Sequence, residues 1–125
     1  MVNIEGQSPN KHSTQTMQEQ RSTCPLAHSL KLFGDKWTLL VIRDLMFFNK
    51  STYKEFENSK EKIPTSVLAN RLSRLLDEEI VIREPYQTNP VRYKYLLTKK
   101  GRALAPVVLA IVEWGKDYLD TPVSL

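Results

Sequence analysis

A chain of 125 residues, 41% of them hydrophobic, suits one globular domain with a modest core and makes a second unlooked for. Its single cysteine excludes an internal disulfide framework and a cysteine-rich zinc site and fits a reducing compartment; no apolar run reaches the roughly 18 residues of a membrane span, and the polar N-terminus offers no stretch for a signal peptide, so no membrane contact and a cytoplasmic location are expected. The net charge of +4 is unevenly placed: Lys50 to Arg102 holds 12 Lys and Arg against 7 Asp and Glu, while the remainder holds 6 against 7, so the excess positive charge falls in one internal stretch, as in a surface that meets phosphates.

Residues 1–22 are rich in Ser, Thr, Gln and Asn, with Lys11 and Arg21 as their only positive side chains, and are expected to form a mobile polar tail. Order is expected over residues 23–120, followed by a short C-terminal tail at 121–125. At Ser22-Thr23-Cys24-Pro25 a hydroxyl residue precedes a proline suited to a first helical turn, and Leu26, Leu30 and Phe33 then make a short apolar stripe. Gly34 ends that helix and Asp35 caps the next, in which Trp37, Leu40, Val41, Leu45 and Phe48 repeat at helical spacing. This second helix is predicted to be the central core element. Trp37 and the Phe47-Phe48 pair fit either core or a ligand pocket, and helical spacing favours core.

Thr52 and Glu55 form a capping box that opens a short third helix with Tyr53 and Phe56 facing inward, and the polar loop Asn58–Lys62 follows. The next helix, about 64–78, has Leu68, Leu72, Leu75 and Leu76 on one stripe facing a core. An ordinary amphipathic helix explains the leucines but not the opposite side. That side carries Ser66, Asn70, Ser73 and Arg74, with Arg71 flanking, in place of the usual Glu/Lys pairs. Asn and Arg can each bond a base edge bidentately, and the acids Asp77 and Glu78 wait until the last turn. Helix, connection, amphipathic helix is the helix-turn-helix layout, with a connection slightly long for its tight form.

After Glu79 the period becomes extended. Ile80–Glu84 and Arg92–Leu97 are predicted to pair as a hairpin, a wing at about 80–97, with a turn bearing Asn and Pro. In the second strand Tyr93, Tyr95 and Leu97 alternate with Arg92 and Lys94, so one side can pack while the other presents cations; Arg83, Arg92 and Lys94 are the phosphate candidates. Such residues also protect a hairpin edge, but the position directly after a candidate recognition helix favours a DNA-binding wing. Thr98 caps the last helix, on which Leu104, Val107, Val108, Ile111, Trp114 and Tyr118 share one broad side. Pro106 lacks the N–H that would bond the Arg102 carbonyl, so a kink is expected there. A long aromatic-bearing terminal helix points to a dimer seam of Val107, Val108, Ile111, Trp114 and Tyr118, shared with Leu26 and Leu30 of the first helix.

Catalysis finds little support. His12 and His28 are the only histidines, no nucleophile has a paired base, and no metal-ligand cluster or phosphate-cradling glycine loop is visible, so neither metal nor cofactor is expected.

The motifs Cys24-Pro-Leu, Gly34-Asp-Lys-Trp37, Tyr53-Lys-Glu-Phe56, Ile63 to Leu72, Tyr93 to Thr98 with Gly101, and Trp114-Gly115 run in unbroken order from residue 23 to about 119. In this the chain resembles the HxlR family of bacterial winged-helix regulators, similar in organisation to the MarR group. The resemblance implies a mainly α fold with a small β-hairpin (α+β), a winged helix-turn-helix with N- and C-terminal dimerisation helices. It implies a homodimer on double-stranded DNA, with two recognition helices in successive major grooves, wings on the flanking backbone, and Lys54 and Lys62 contacting backbone nearby. Many members have glycine where this chain has Glu79, so the helix-to-strand turn is expected to differ. Some members sense electrophiles or oxidants through a cysteine that Cys24 matches, and a helix N-terminus favours an anionic thiolate; a small buried residue is the plainer reading of Cys24. The sequence leaves room for a small-molecule or electrophile effector. The competing class is a winged-helix protein-interaction module that does not bind DNA.

Overall fold

A computed structural model describes residues 23–121, which fall into two units divided between Thr38 and Leu39. The polar tail expected at 1–22, and all but the first residue of that expected at 121–125, lie outside the described residues.

In the first unit, helix α1 spans Pro25–Phe33. Its N-cap is Cys24, not the expected hydroxyl residue, and no side chain caps it. Pro25 has no N–H to satisfy, and the first amide able to close a turn, that of His28, bonds the Cys24 carbonyl at 3.1 Å. Gly34 ends α1 with φ −79°, so its role is not left-handed backbone. A Cβ there would stand 2.5 Å from the Leu30 carbonyl oxygen. The Asp35 carboxylate then accepts from the amides of Trp37 and Thr38 at 2.9 and 3.1 Å and from the Thr38 hydroxyl at 2.6 Å, the expected cap.

Helix α2 spans Thr38–Phe47, and Val41 and Ile42 bury its inner side in the second unit. Phe47 and Phe48 are exposed rather than core. The Phe48 ring instead lies under two cations, with the Arg43 guanidinium 4.9 Å and the Lys50 ammonium 5.9 Å from its centroid. Helix α3, Tyr53–Glu57, opens on the predicted capping box. Glu55 accepts from the amides of Ser51 and Thr52 at 2.8 and 3.1 Å, and these bonds hold its carboxyl below the usual range.

Helix α4 spans Thr65–Asp77, with Leu68, Leu72 and Leu75 buried as predicted and Leu76 half-buried. It ends in a Schellman motif. The Glu79 amide bonds the Leu76 carbonyl at 3.0 Å, the Ile80 amide bonds that of Leu75 at 2.9 Å, and Ile80 and Leu75, the positions where the motif places its apolar pair, are both buried. This geometry needs left-handed backbone at the residue between, and Glu79 adopts it with φ 60°. The turn is therefore the one glycine would make, held here by a residue for which it is strained.

Strands β1 (Val81–Thr88) and β2 (Val91–Leu97) pair antiparallel. The strands are longer than predicted, since only Asn89 and Pro90 form the turn. Proline is tolerated inside β1 because Pro85 adjoins a bulge: Pro85 faces Tyr93 and Gln87 faces Arg92, leaving Tyr86 as the extra residue.

The last helix is two. Helix α5 covers Lys99–Arg102 and α6 covers Ala105–Tyr118, with a turn at Ala103 and Leu104. Pro106 thus lies in the first turn of a new helix, where its missing N–H costs nothing, instead of kinking a continuous one. Thr98 caps α5 as predicted, accepting from the Gly101 amide at 3.1 Å. It also ties α5 to the end of α4: its hydroxyl donates to the Glu79 carbonyl at 2.7 Å and its amide to that of Ile80 at 3.0 Å. Gly101 makes this approach possible, because a Cβ there would meet the Ile80 carbonyl oxygen at 2.3 Å.

Two substitutions test these joints by urea unfolding. Glu79→Gly removes the left-handed strain and should raise stability by about 1 kcal/mol. Gly101→Ala forces two backbone segments apart and should lower it by about 1–3 kcal/mol. A Glu79→Gly midpoint at or below wild type contradicts the account of this turn.

Candidate nucleic-acid interface

The position of α4 is set from both ends. Its leucines pack it between α3 and β1. At its N-terminal approach, the turn Asn58–Lys62 is fastened to α2 by a cluster of charges. The Arg43 guanidinium donates to Asp44 Oδ1 from Nε at 3.0 Å and from Nη2 at 2.7 Å. It also forks onto Glu61, at 2.8 Å from Nη1 and 2.9 Å from Nη2. Arg43 and Asp44 are buried, and Lys50 adds a longer contact to Asp44 at 3.8 Å. The Arg43 hydrogen bond holds the Glu61 carboxyl down to about 2, and Glu61 in turn raises the affinity of Arg43 for its proton. Ser59 is buried in the same turn, Lys62 takes left-handed backbone at φ 59°, and the Thr65 hydroxyl reaches Glu57 of α3 at 3.4 Å.

Between its exposed end residues Thr65 and Asp77, α4 leaves exposed a stripe of Ser66, Asn70 and Ser73 at successive helical turns, with Ala69 alongside. Arg71 and Arg74 flank this stripe. Both are half-buried and engaged within the chain, and the Arg71 guanidinium bonds the Asn70 side-chain oxygen. No acid occurs in α4 before Asp77. Lys54 and Lys62 are exposed on the elements that precede it.

The wing puts Arg83 on a different face from Arg92 and Lys94. Arg83 pairs in register with Tyr95, placing it on the tyrosine face, where its guanidinium lies 4.2 Å from the Tyr93 ring centroid. Lys94 pairs with Glu84 on the other face and is half-buried, lining a cleft at the wing's root. Arg92 is exposed beside the tip, which the Gln87 amide closes by bonding the Pro90 carbonyl at 3.0 Å. Tyr95 is buried and packs tilted on Tyr53, ring centroids 6.0 Å apart, and burial raises the Tyr53 hydroxyl above its usual range.

The residues expected at a dimer seam divide in the same way. Val108 is only 5% exposed, so it serves its own chain's core. Val107 is half-buried, whereas Ile111, Trp114 and Tyr118 of α6 are exposed, Trp114 by 57% and Tyr118 by 73%, with their two rings 5.5 Å apart. Leu109 and Leu119 are exposed as well, which the sequence reading missed. Within the other unit, Leu26 and Leu30 are exposed on α1, while Cys24 is half-buried and, like the exposed His28, engaged within the chain. Among the described residues no helix is long and apolar enough to cross a membrane.

Residues 32–122 match the family described as HxlR-like helix-turn-helix. An HTH-type transcriptional regulator of Mycobacterium tuberculosis is 33% identical over 97 residues, which cover 78% of this chain and 60% of that protein. The chain thus spans under two thirds of that relative's length. The solved structure of the redox regulator HypR in its reduced form superposes with TM-score 0.70 at 32% identity, covering 78% of this chain and 95% of that one. The reduced form of the transcriptional regulator YodB from B. subtilis gives TM-score 0.64 at 30% identity, covering 81% and 99%.

Two variants probe the charge cluster. Arg43→Met leaves Asp44 buried with Lys50 as its remaining cation and should cost about 3 kcal/mol in thermal or urea unfolding. Because folding lowers the Glu61 carboxyl from its usual 4.5 to about 2, its stabilisation is complete above pH 4.5 and is lost as pH falls through about 2. Glu61→Gln should therefore flatten the acid limb of a stability-versus-pH curve in that window. An equally steep limb in the variant would contradict the assignment.

Proposed function

The chain belongs to the HxlR-like helix-turn-helix family, and from that premise we propose that it is a sequence-specific DNA-binding transcriptional regulator that acts as a homodimer. The observation that carries this reading is the outer face of α4. It is an acid-free stripe of Ser66, Asn70 and Ser73 on a helix whose entry and exit are both fastened by directional bonds. A recognition element has to present short hydrogen-bonding groups to base edges in a fixed register, and this face does so.

In this reading Ser66, Asn70 and Ser73 meet base edges, while Arg71 and Arg74 support them and reach the adjacent phosphates. Lys54 and Lys62 contact backbone beside the helix, and Arg92 and the tyrosine-stacked Arg83 serve the wing. Lys94 faces the cleft at the wing root and is left out of the DNA contacts. The exposed apolar residues of α6, Ile111, Trp114 and Tyr118, are assigned to the dimer seam, and Leu26 and Leu30 of α1 are separately assigned to contact with the second copy; such a pair would carry two α4 helices to successive major grooves. Thiol regulation at Cys24 is the switch this reading favours: the residue is the N-cap of α1, and HypR, a structural neighbour, is a redox regulator. As the chain's single cysteine, Cys24 would form a disulfide with a second copy or with a small thiol. A regulator of this kind works in the cytoplasm and needs no catalytic activity.

Binding to a preferred duplex and to random duplexes across a salt series tests the division of roles. Asn70→Ala should cost about 1–3 kcal/mol on the preferred sequence and much less on random DNA. Arg92→Ala should weaken every sequence alike and reduce the salt slope by about one unit. Equal losses on all sequences for both variants would refute the assignment.

A further inference from the structure

We infer that the cleft at the root of the wing is a binding site for an amphipathic organic acid, one anionic headgroup on an apolar body, held by Lys50, Lys94 and Arg102. The cleft is open to solvent and has a volume of about 590 Å³, within the size of small-molecule sites. Leu45 and Met46 of α2 and Ile82 and Leu96 of the hairpin give it apolar walls, and the three cations converge on it from the α2–α3 connection, β2 and α5.

The positive charge is incompletely balanced. Lys50 has Asp44 at 3.8 Å, but that carboxylate already accepts two hydrogen bonds from Arg43. Arg102 donates one guanidinium N–H to the Leu97 carbonyl at 3.0 Å, leaving the rest of its fork. Lys94 stands across from Glu84 in register, yet no ion pair joins them, and it is half-buried in a cleft it shares with Leu45, Ile82 and Leu96. A partly desolvated ammonium in such surroundings is stabilised by an anion. The apolar walls select an organic acid over a bare inorganic ion, which would leave them wet.

The Tyr95 amide bonds the Ser51 carbonyl at 2.8 Å beside the cleft, so an occupant bridging Lys50 and Lys94 lies where the wing joins the segment leading into α3. Its effect on operator binding, a change in wing orientation relative to α4, rests on the DNA-binding reading. Occupancy of the cleft does not.

The test is an amide chemical-shift titration of the full chain with 1-naphthoate, its neutral isostere 1-naphthamide, and inorganic phosphate. Naphthoate should shift Ser51, Ile82 and Tyr95 to Leu97, with an affinity about tenfold above that of either comparator. Lys94→Met should bring it down to the naphthamide level, while Lys60→Met, an equal loss of charge outside the cleft, should leave it unchanged. Equal affinities for naphthoate and naphthamide, shifts elsewhere, or wild-type naphthoate binding by the Lys94→Met variant would overturn the proposal. So would a cleft that answers only to duplex DNA, with Lys94→Met weakening duplex binding and naphthoate inert, since Lys94 would then be a phosphate contact. A chain that bound naphthoate as described but no DNA would instead refute the proposed function and leave the cleft standing.

Discussion

The Arg43 guanidinium is the joint on which the placement of the second unit's helices depends. Together with Asp44 it interrupts an otherwise apolar stretch of α2, it packs against the Phe48 ring, and its donors go to two carboxylates, that of Asp44 on its own helix and that of Glu61, 18 residues further on. Buried ion pairs stabilise little in comparison with a well-packed apolar alternative, because desolvating the charges offsets most of the Coulomb gain. Their effect here is directional. A fork-to-fork contact with Glu61 admits one approach of the Asn58–Lys62 turn to α2, where an apolar contact would tolerate sliding. A seven-residue connection between α3 and α4 is long for a helix-turn-helix, and this contact gives it the fixed geometry that a shorter turn would have by itself.

The other end of α4 is held by the same kind of interaction. The Schellman turn aims the chain from helix into β1, and Thr98 and the Lys100 ammonium, 2.8 Å from the Glu78 carbonyl, fasten α5 against that turn. Between the two ends the buried leucines supply the apolar driving force, which is strong but has no direction of its own. Polar bonds fix where α4 points and leucines keep it folded there. The face left to solvent is the one with serines and an asparagine, and the wing follows directly from the fixed turn.

Features that rest on local chemistry were legible in the sequence. The leucine stripe of α4, the Asp35 and Thr98 caps and the Thr52–Glu55 box all depend on residues within a few positions of one another, and the hairpin was legible from the extended period on either side of its turn. What could not be read depends on distant partners. Arg43-Asp44 inside an apolar helix is a visible anomaly that asks for a buried partner, but nothing local names Glu61. Alternation along β2 put Arg92 and Lys94 on one face correctly, whereas assigning Arg83 to them needed the pairing register, which places it opposite Tyr95. Pro106 starts a new helix where its sequence context predicts a kink in a continuous one, because the two look alike in sequence and only the Ala103–Leu104 break tells them apart. Glu79 hid a turn that glycine would have announced, since the backbone accepts the strain of a left-handed glutamate in return for the bonds on either side.

The central claim is that this fixed geometry presents α4 for reading DNA as one half of a symmetric pair. Selection of binding sites from a random duplex pool by the full chain tests it most directly. The account predicts an enriched inverted repeat whose half-sites lie about one helical turn, roughly 10 base pairs, apart. A pool that stays random after repeated selection, or that enriches a single unrepeated site, would contradict it.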